Sequence, residues 1–201
     1  MPVPVTVYAE STPNPAAMKF VASIPLLYEG AVEFNSREEC QSSPLATGLF
    51  AFSGVKSVFI SANFVTVTKD SEIDWYEITG IIREYIRGYL MDGGKAFTSN
   101  PFTGKNERPH HAASEQKPDV SSEYTETETQ IIRMLDEYVK PAVEQDGGAI
   151  HFRSFSEGVV TVALKGSCSG CPSSTMTLKA GIENLLKQMV PEVKEVVAEA
   201  E

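Results

Sequence analysis

Cysteine is scarce in this chain, with three residues in 201. An odd number with one close pair excludes a disulfide-stapled scaffold. Positive charge is also short: 17 Lys and Arg stand against 27 Asp and Glu, for a net charge of −10. A nucleic-acid binder needs a basic face against phosphates, so that class is set aside. No apolar run approaches the roughly 20 residues of a membrane span, so no membrane partner is expected. The opening Met1-Pro2-Val3-Pro4 lacks the basic and apolar regions of a secretory signal, and the Arg-rich segment of an organelle transit peptide. The expectation is a soluble cytoplasmic protein, with a processed organelle protein left open.

The hydrophobic content of 42% suffices for real cores, and the length suits one large domain or two small ones. The hydrophobic rhythm lapses from Asp92 to Tyr124. Asp92-Gly93-Gly94, Asn100-Pro101, Arg108-Pro109-His110-His111 and Lys117-Pro118-Asp119 punctuate this stretch, and Phe97 and Phe102 are its apolar exceptions. Such a segment cannot offset its ordering entropy by burial, so it reads as a flexible linker. The expected organisation is α+β: two small domains, residues 1–92 and 124–201, joined by a linker at 93–123. Residues 1–92 carry 6 basic and 11 acidic side chains and residues 124–201 carry 7 and 12, so each is at −5. Like-charged globules should not dock tightly.

In the first domain, residues 4–10 and 18–24 read as strands around Thr12-Pro13-Asn14-Pro15. Ser43-Pro44 reads as a cap and first helical position, opening a short helix over 45–52. Residues 55–60 and 64–68 form a hairpin around Ser61-Ala62-Asn63. Trp75, Ile78, Ile82, Tyr85, Ile86 and Tyr89 recur at helical spacing and face a core rather than a cofactor. The second domain reads α-β-β-α-β. A helix with the stripe Ile131, Leu135, Val139 and Ala142 stops at Asp146-Gly147-Gly148. Strands at 149–155 and 159–164 flank Ser156-Glu157-Gly158. A helix from Pro172 faces the core with Leu178, Ile182, Leu185, Leu186 and Met189. Pro191 stops it, and residues 193–198 return as a strand.

The chemistry concentrates in Gly166-Ser167-Cys168-Ser169-Gly170-Cys171-Pro172, which holds two of the three cysteines. Thiolates at this spacing bind a soft metal centre or cycle through a disulfide. If Pro172 opens a helix, Cys171 is its cap, where the dipole and free N–H groups favour a thiolate. The glycines would let backbone N–H groups approach sulfur. A centre held by cysteine alone usually needs four thiolates, and this loop offers two. His151 lies mid-strand, and His110 and His111 lie in the linker. One cluster shared by two copies, two cysteines from each, meets the shortage. A thiol–disulfide oxidoreductase is the alternative, and a structural zinc dimer is a third reading.

The second domain resembles the NifU-like C-terminal domain of Nfu proteins. The resemblance rests on Lys140-Pro141-Ala142-Val143-Glu144-Gln145-Asp146-Gly147-Gly148, then Ile150-His151-Phe152, then the cysteine loop through Ser174, in that order. The first domain resembles the Nfu N-terminal domain, through Thr12-Pro13-Asn14-Pro15, Lys19-Phe20, Ser43-Pro44-Leu45-Ala46 with Leu49-Phe50, and Gly54-Val55-Lys56-Ser57-Val58-Phe59. The family often has Arg before the proline at Pro141, and Lys140 keeps that charge. The resemblance implies an iron–sulfur scaffold or carrier and no enzyme. Cys168 and Cys171 would ligate a 4Fe–4S cluster, or a 2Fe–2S one, between the subunits of a homodimer. The implied partners are a donor scaffold and apo iron–sulfur proteins. Transfer would need a labile, exposed loop, and the first domain would recognise partners.

Other residues have plainer readings. Asp146-Gly147-Gly148 serves as a helix stop and tight turn. Cys40, alone in a polar stretch, is an incidental thiol. Thr12-Pro13-Asn14-Pro15 is a rigid turn or a partner-binding edge.

Overall fold

A computed structural model describes residues 4–102, 124–169 and 172–200. The chain divides into two compact units, Met1–His110 and His111–Glu201. Both mix helices and strands, giving the expected α+β class. Among the described residues no helix is long and apolar enough to cross a membrane.

The first unit is built on an antiparallel sheet of β1 (Val7–Ser11), β2 (Ala17–Ala22), β3 (Ala31–Phe34), β4 (Val55–Ser61) and β5 (Phe64–Lys69). Their spatial order is β1-β2-β5-β4-β3. Alternate side chains on a strand share one face, so Val58 and Ile60 of β4 and Val65 and Val67 of β5 enter one core. There they meet Leu45 and Leu49 of α1 (Pro44–Leu49) and Ile82, Ile86 and Leu90 of α2 (Trp75–Met91). The Ser43 side chain accepts from Ala46 N–H at 3.2 Å and donates to the Ala96 carbonyl at 2.6 Å. A cap at the helix start thus also holds a segment 53 residues away.

That segment corrects the expected linker boundary. Ala96 and Phe97 are buried in the first core, Thr98 N–H donates to the Ser42 carbonyl at 2.9 Å, and Phe102 packs against the same core. The remainder of the expected linker, 103–123, lies outside the described residues. Thr12-Pro13-Asn14-Pro15 is a turn closed from within. The Thr12 hydroxyl donates to the Asn14 carbonyl, and Ala16 N–H donates to Asn14 Oδ1. The indole N–H of Trp75 fastens it by donating to the Pro15 carbonyl at 3.0 Å. Two elements were not foreseen: β3, and a 3-10 helix over Arg37–Ser42 that carries Cys40 into the core.

The second unit opens with α3 (Glu126–Met134), capped by a reciprocal pair in which Thr125 and Glu128 each bond the other's backbone N–H. A π-helical turn, Leu135–Val139, leads into α4 (Lys140–Gln145). This wider turn adds a residue, so Val143 is the buried position after Val139 and the expected Ala142 is exposed. Then follow β6 (Gly148–Ser156), β7 (Val159–Gly166), α5 (Pro172–Met189) and β8 (Glu195–Ala200). The order is the expected one, with the first helix subdivided. The sheet runs β6-β7-β8, antiparallel then parallel. Ile182 and Leu186 of α5 are buried against it. Met189 is exposed and Val190, one residue on, takes the core position. Glu183 of α5 accepts from Val196 N–H on β8 at 3.1 Å and pairs with Lys187.

Candidate functional site

The site lies where β7 turns into α5, which begins at Pro172 as expected. The β6–β7 ladder ends with two glycines opposite each other, Gly148 and Gly166. Gly166 has φ +69, so the chain turns through a conformation that disfavours other residues. Ser169 N–H and its hydroxyl both donate to the Gly166 carbonyl, at 3.1 and 2.8 Å. From the far side, the Thr175 hydroxyl on the first turn of α5 donates to the Cys168 carbonyl at 3.2 Å. The backbone around Cys168 is therefore fixed from both ends.

Cys168 points inward. It is 6% exposed and belongs to the second core with Val143, Ile150 and Leu164. Its sulfur lies against Gly148, where an added Cβ would stand 2.8 Å from Sγ. This corrects the expected exposed loop, at least for Cys168. The helix stop Asp146-Gly147-Gly148 supplies the floor of the site as well as the turn. Gly147, at φ +82, makes the reversal, and its carbonyl accepts from Ser167 N–H at 3.3 Å. The Ser167 hydroxyl donates to the Asp146 carbonyl, and its oxygen lies 3.7 Å from Cys168 Sγ.

Burial pushes the Cys168 thiol above its ordinary range. The Ser167 hydroxyl pulls it down, and the Asp146 carboxylate adds to the rise. A reactive redox cysteine wants the opposite surroundings, exposed and electropositive. A metal centre supplies its own positive charge and displaces the proton.

The other candidates are dispersed or lie outside the described residues. Cys171, His110 and His111 are among the latter. Cys40 sits in the first unit, where its S–H donates to the Ser36 carbonyl at 3.3 Å and burial lifts its thiol to about 11. His151 is exposed on β6. Among the described residues no three His, Cys, Asp or Glu side chains gather as a metal site. Ser167 and Thr175 were missed by sequence reasoning. The only signal was their place, directly before Cys168 and on the first turn of the following helix.

Comparison with known proteins follows the same division. Residues 7–93 match a family model described as the N terminal of the scaffold protein Nfu/NifU, and residues 131–197 match the NifU-like domain. The chain is 36% identical over 189 residues to the human protein named NFU1 iron-sulfur cluster scaffold homolog, mitochondrial, covering 94% of this chain and 69% of that one. It is 34% identical over 195 residues to NifU-like protein 5, mitochondrial, of Arabidopsis thaliana, covering 96% and 67%. A solution NMR structure of a NifU-like protein from Saccharomyces cerevisiae overlays 47% of this chain and 85% of that one, at 23% identity and a TM-score of 0.41. The mitochondrial names of these relatives overturn the expectation of a cytoplasmic protein.

Proposed function

The chain belongs to the Nfu/NifU scaffold family, and from that premise we propose that it carries an iron–sulfur cluster as cargo. A 4Fe–4S cluster is held between two copies of the chain, by Cys168 and Cys171 of each, and is passed to apo-proteins. The observation that carries this reading is the fixed, inward-facing Cys168 with a second cysteine three residues on. Two thiolates are half of what a cysteine-held cluster needs, so a second copy completes the set.

Each cysteine gives up its proton to water as its sulfur binds iron. Release reverses this by exchange with thiolates of the acceptor, so the role is binding and transfer rather than turnover of a substrate. The cluster-binding domain is residues 124–201, and the first unit recognises clients. The mitochondrial names of the relatives favour a mitochondrial site of action.

Anaerobic reconstitution with iron and sulfide tests the proposal, read by absorbance, Mössbauer spectroscopy and native mass. Apo protein is expected as monomer and loaded protein as dimer, with one cluster per two chains. A cluster held by an isolated monomer, with no added thiol, overturns it.

A further inference from the structure

Ser167 is 1% exposed, and its hydroxyl lies between the Asp146 carbonyl and the Cys168 sulfur, which compete for it. It donates to the Asp146 carbonyl, and its oxygen lies 3.7 Å from Cys168 Sγ. A hydroxyl has one hydrogen, and a carbonyl only accepts. With that hydrogen on Asp146, the oxygen turns a lone pair toward the sulfur. In the thiol state, then, the Cys168 S–H is the donor of this contact.

A sulfur bound to iron has no hydrogen left. Its lone pair forms the iron–sulfur bond, and its proton goes to water. The contact with Ser167 would then set lone pair against lone pair, unless the hydroxyl rotates. We propose that Ser167 is a positioning residue of the cysteine site: its hydroxyl turns from the Asp146 carbonyl to the Cys168 sulfur when that sulfur becomes a ligand, and so stabilises the ligated state. This rests on the cluster-carrier reading above.

The surroundings suit such a device. Ser167 N–H is held by the Gly147 carbonyl, and the Cys168 carbonyl by Thr175. The hydroxyl can therefore rotate without moving the backbone. Both side chains are buried, so water does not readily replace the donor. A hydrogen bond to a cluster sulfur favours the more electron-rich, reduced state and raises the reduction potential.

The test compares full-length wild type with Ser167→Ala, Ser167→Thr and Ser167→Val, each reconstituted anaerobically with iron and sulfide. In the Ala and Val chains the cluster potential is expected to move negative, and release to a chelator to quicken severalfold. Thr keeps the hydroxyl and restores both. In apo protein, alkylation of Cys168 by iodoacetamide, mapped by peptide mass, is expected to slow severalfold in the Val chain and to recover in Thr, because the hydroxyl that favours the proton-free sulfur is lost and then restored. A merely structural serine would lower melting temperature in the variants and leave the potential of any cluster they hold unchanged, which overturns the proposal. Should the Ala chain fail to fold, the nearly isosteric Thr and Val pair decides, and equal potentials overturn it. A wild-type chain that takes up no cluster overturns the carrier reading as well, which separates the two failures.

Discussion

Cys168 fills the space that Gly148 leaves open: a Cβ on Gly148 would stand 2.8 Å from the sulfur and 2.6 Å from the Lys165 carbonyl. Gly148→Ala must therefore displace the sulfur or part the two strands. Overpacking of this kind costs about 1–3 kcal/mol. The expected outcome is a folded chain with a lower melting temperature and little iron after reconstitution. Wild-type iron content in this variant would show that the seat of the sulfur is not needed.

The three cysteines should separate cleanly. Cys168→Ser and Cys171→Ser are each expected to abolish cluster binding. Cys40→Ser should leave it intact, because Cys40 lies in the core of the other unit and bonds the Ser36 carbonyl. Iron and sulfide analysis of the three variants checks this, and loss of cluster in Cys40→Ser would count against the ligand set.

Alkaline pH should weaken the first unit through Cys40. Its thiol is lifted from 9.0 to about 11 by burial, with Glu39 and Glu38 adding to the rise. The folded state thus holds this proton more tightly than the unfolded chain does. The stabilisation is full below pH 9 and is lost as pH rises from 9 to 11. The phenols of Tyr85 and Tyr89 are also raised by burial and act the same way above pH 10. A comparison with Cys40→Ala isolates the thiol. Fluorescence of Trp75, the single tryptophan, reports unfolding of this unit. The urea midpoint should fall more steeply with pH in wild type, and parallel curves would refute the assignment.

Ser43→Ala removes a cap and a buried tie to residues 94–102 together. Loss of the cap alone costs about 1 kcal/mol, and the orphaned Ala96 carbonyl adds about 1–3 kcal/mol. Trp75 fluorescence during urea unfolding should show a drop well beyond that of an ordinary cap. A change under about 1 kcal/mol would mean that the Ser43 bond to the Ala96 carbonyl adds nothing to stability.

A fragment of residues 124–201 should fold alone and take up cluster, since α3 to β8 and both cysteines lie inside it. Transfer to clients recognised through the first unit should slow. A folded fragment that assembles no cluster would require ligands or support from residues 1–102.

The elements that could be read from sequence are those whose pattern is local. The α-β-β-α-β order of the second unit follows from changes of hydrophobic period at Gly147-Gly148, Gly158 and Pro172. A one-residue shift was not readable where a π turn widened the helix, so Val143 rather than Ala142 reached the core. β3 is four residues at a sheet edge, too short to show a period. Phe97 and Phe102 stood out as apolar residues in a polar run, but the bond that binds their segment spans 53 residues. The site divides the same way. The spacing of Cys168 and Cys171 is visible in the sequence, whereas the burial of Cys168 depends on Gly148, across the sheet ladder.

The bond from Val196 N–H to Glu183 closes part of an open sheet edge. β8 is an edge strand, and an edge with open amides is a template on which another strand can zip. A carboxylate from α5 occupies one of those amides, Glu195 pairs with Lys179 at 3.5 Å, and Glu199 sets exposed negative charge along the same strand. Lys187 and the Val196 N–H together hold the Glu183 carboxyl below its usual range, so the plug persists into mildly acidic solution. Strand-to-strand polymerisation, which would be hard to reverse, is thereby discouraged. The dimer proposed above, held by a shared cluster, would instead come apart when its cargo leaves.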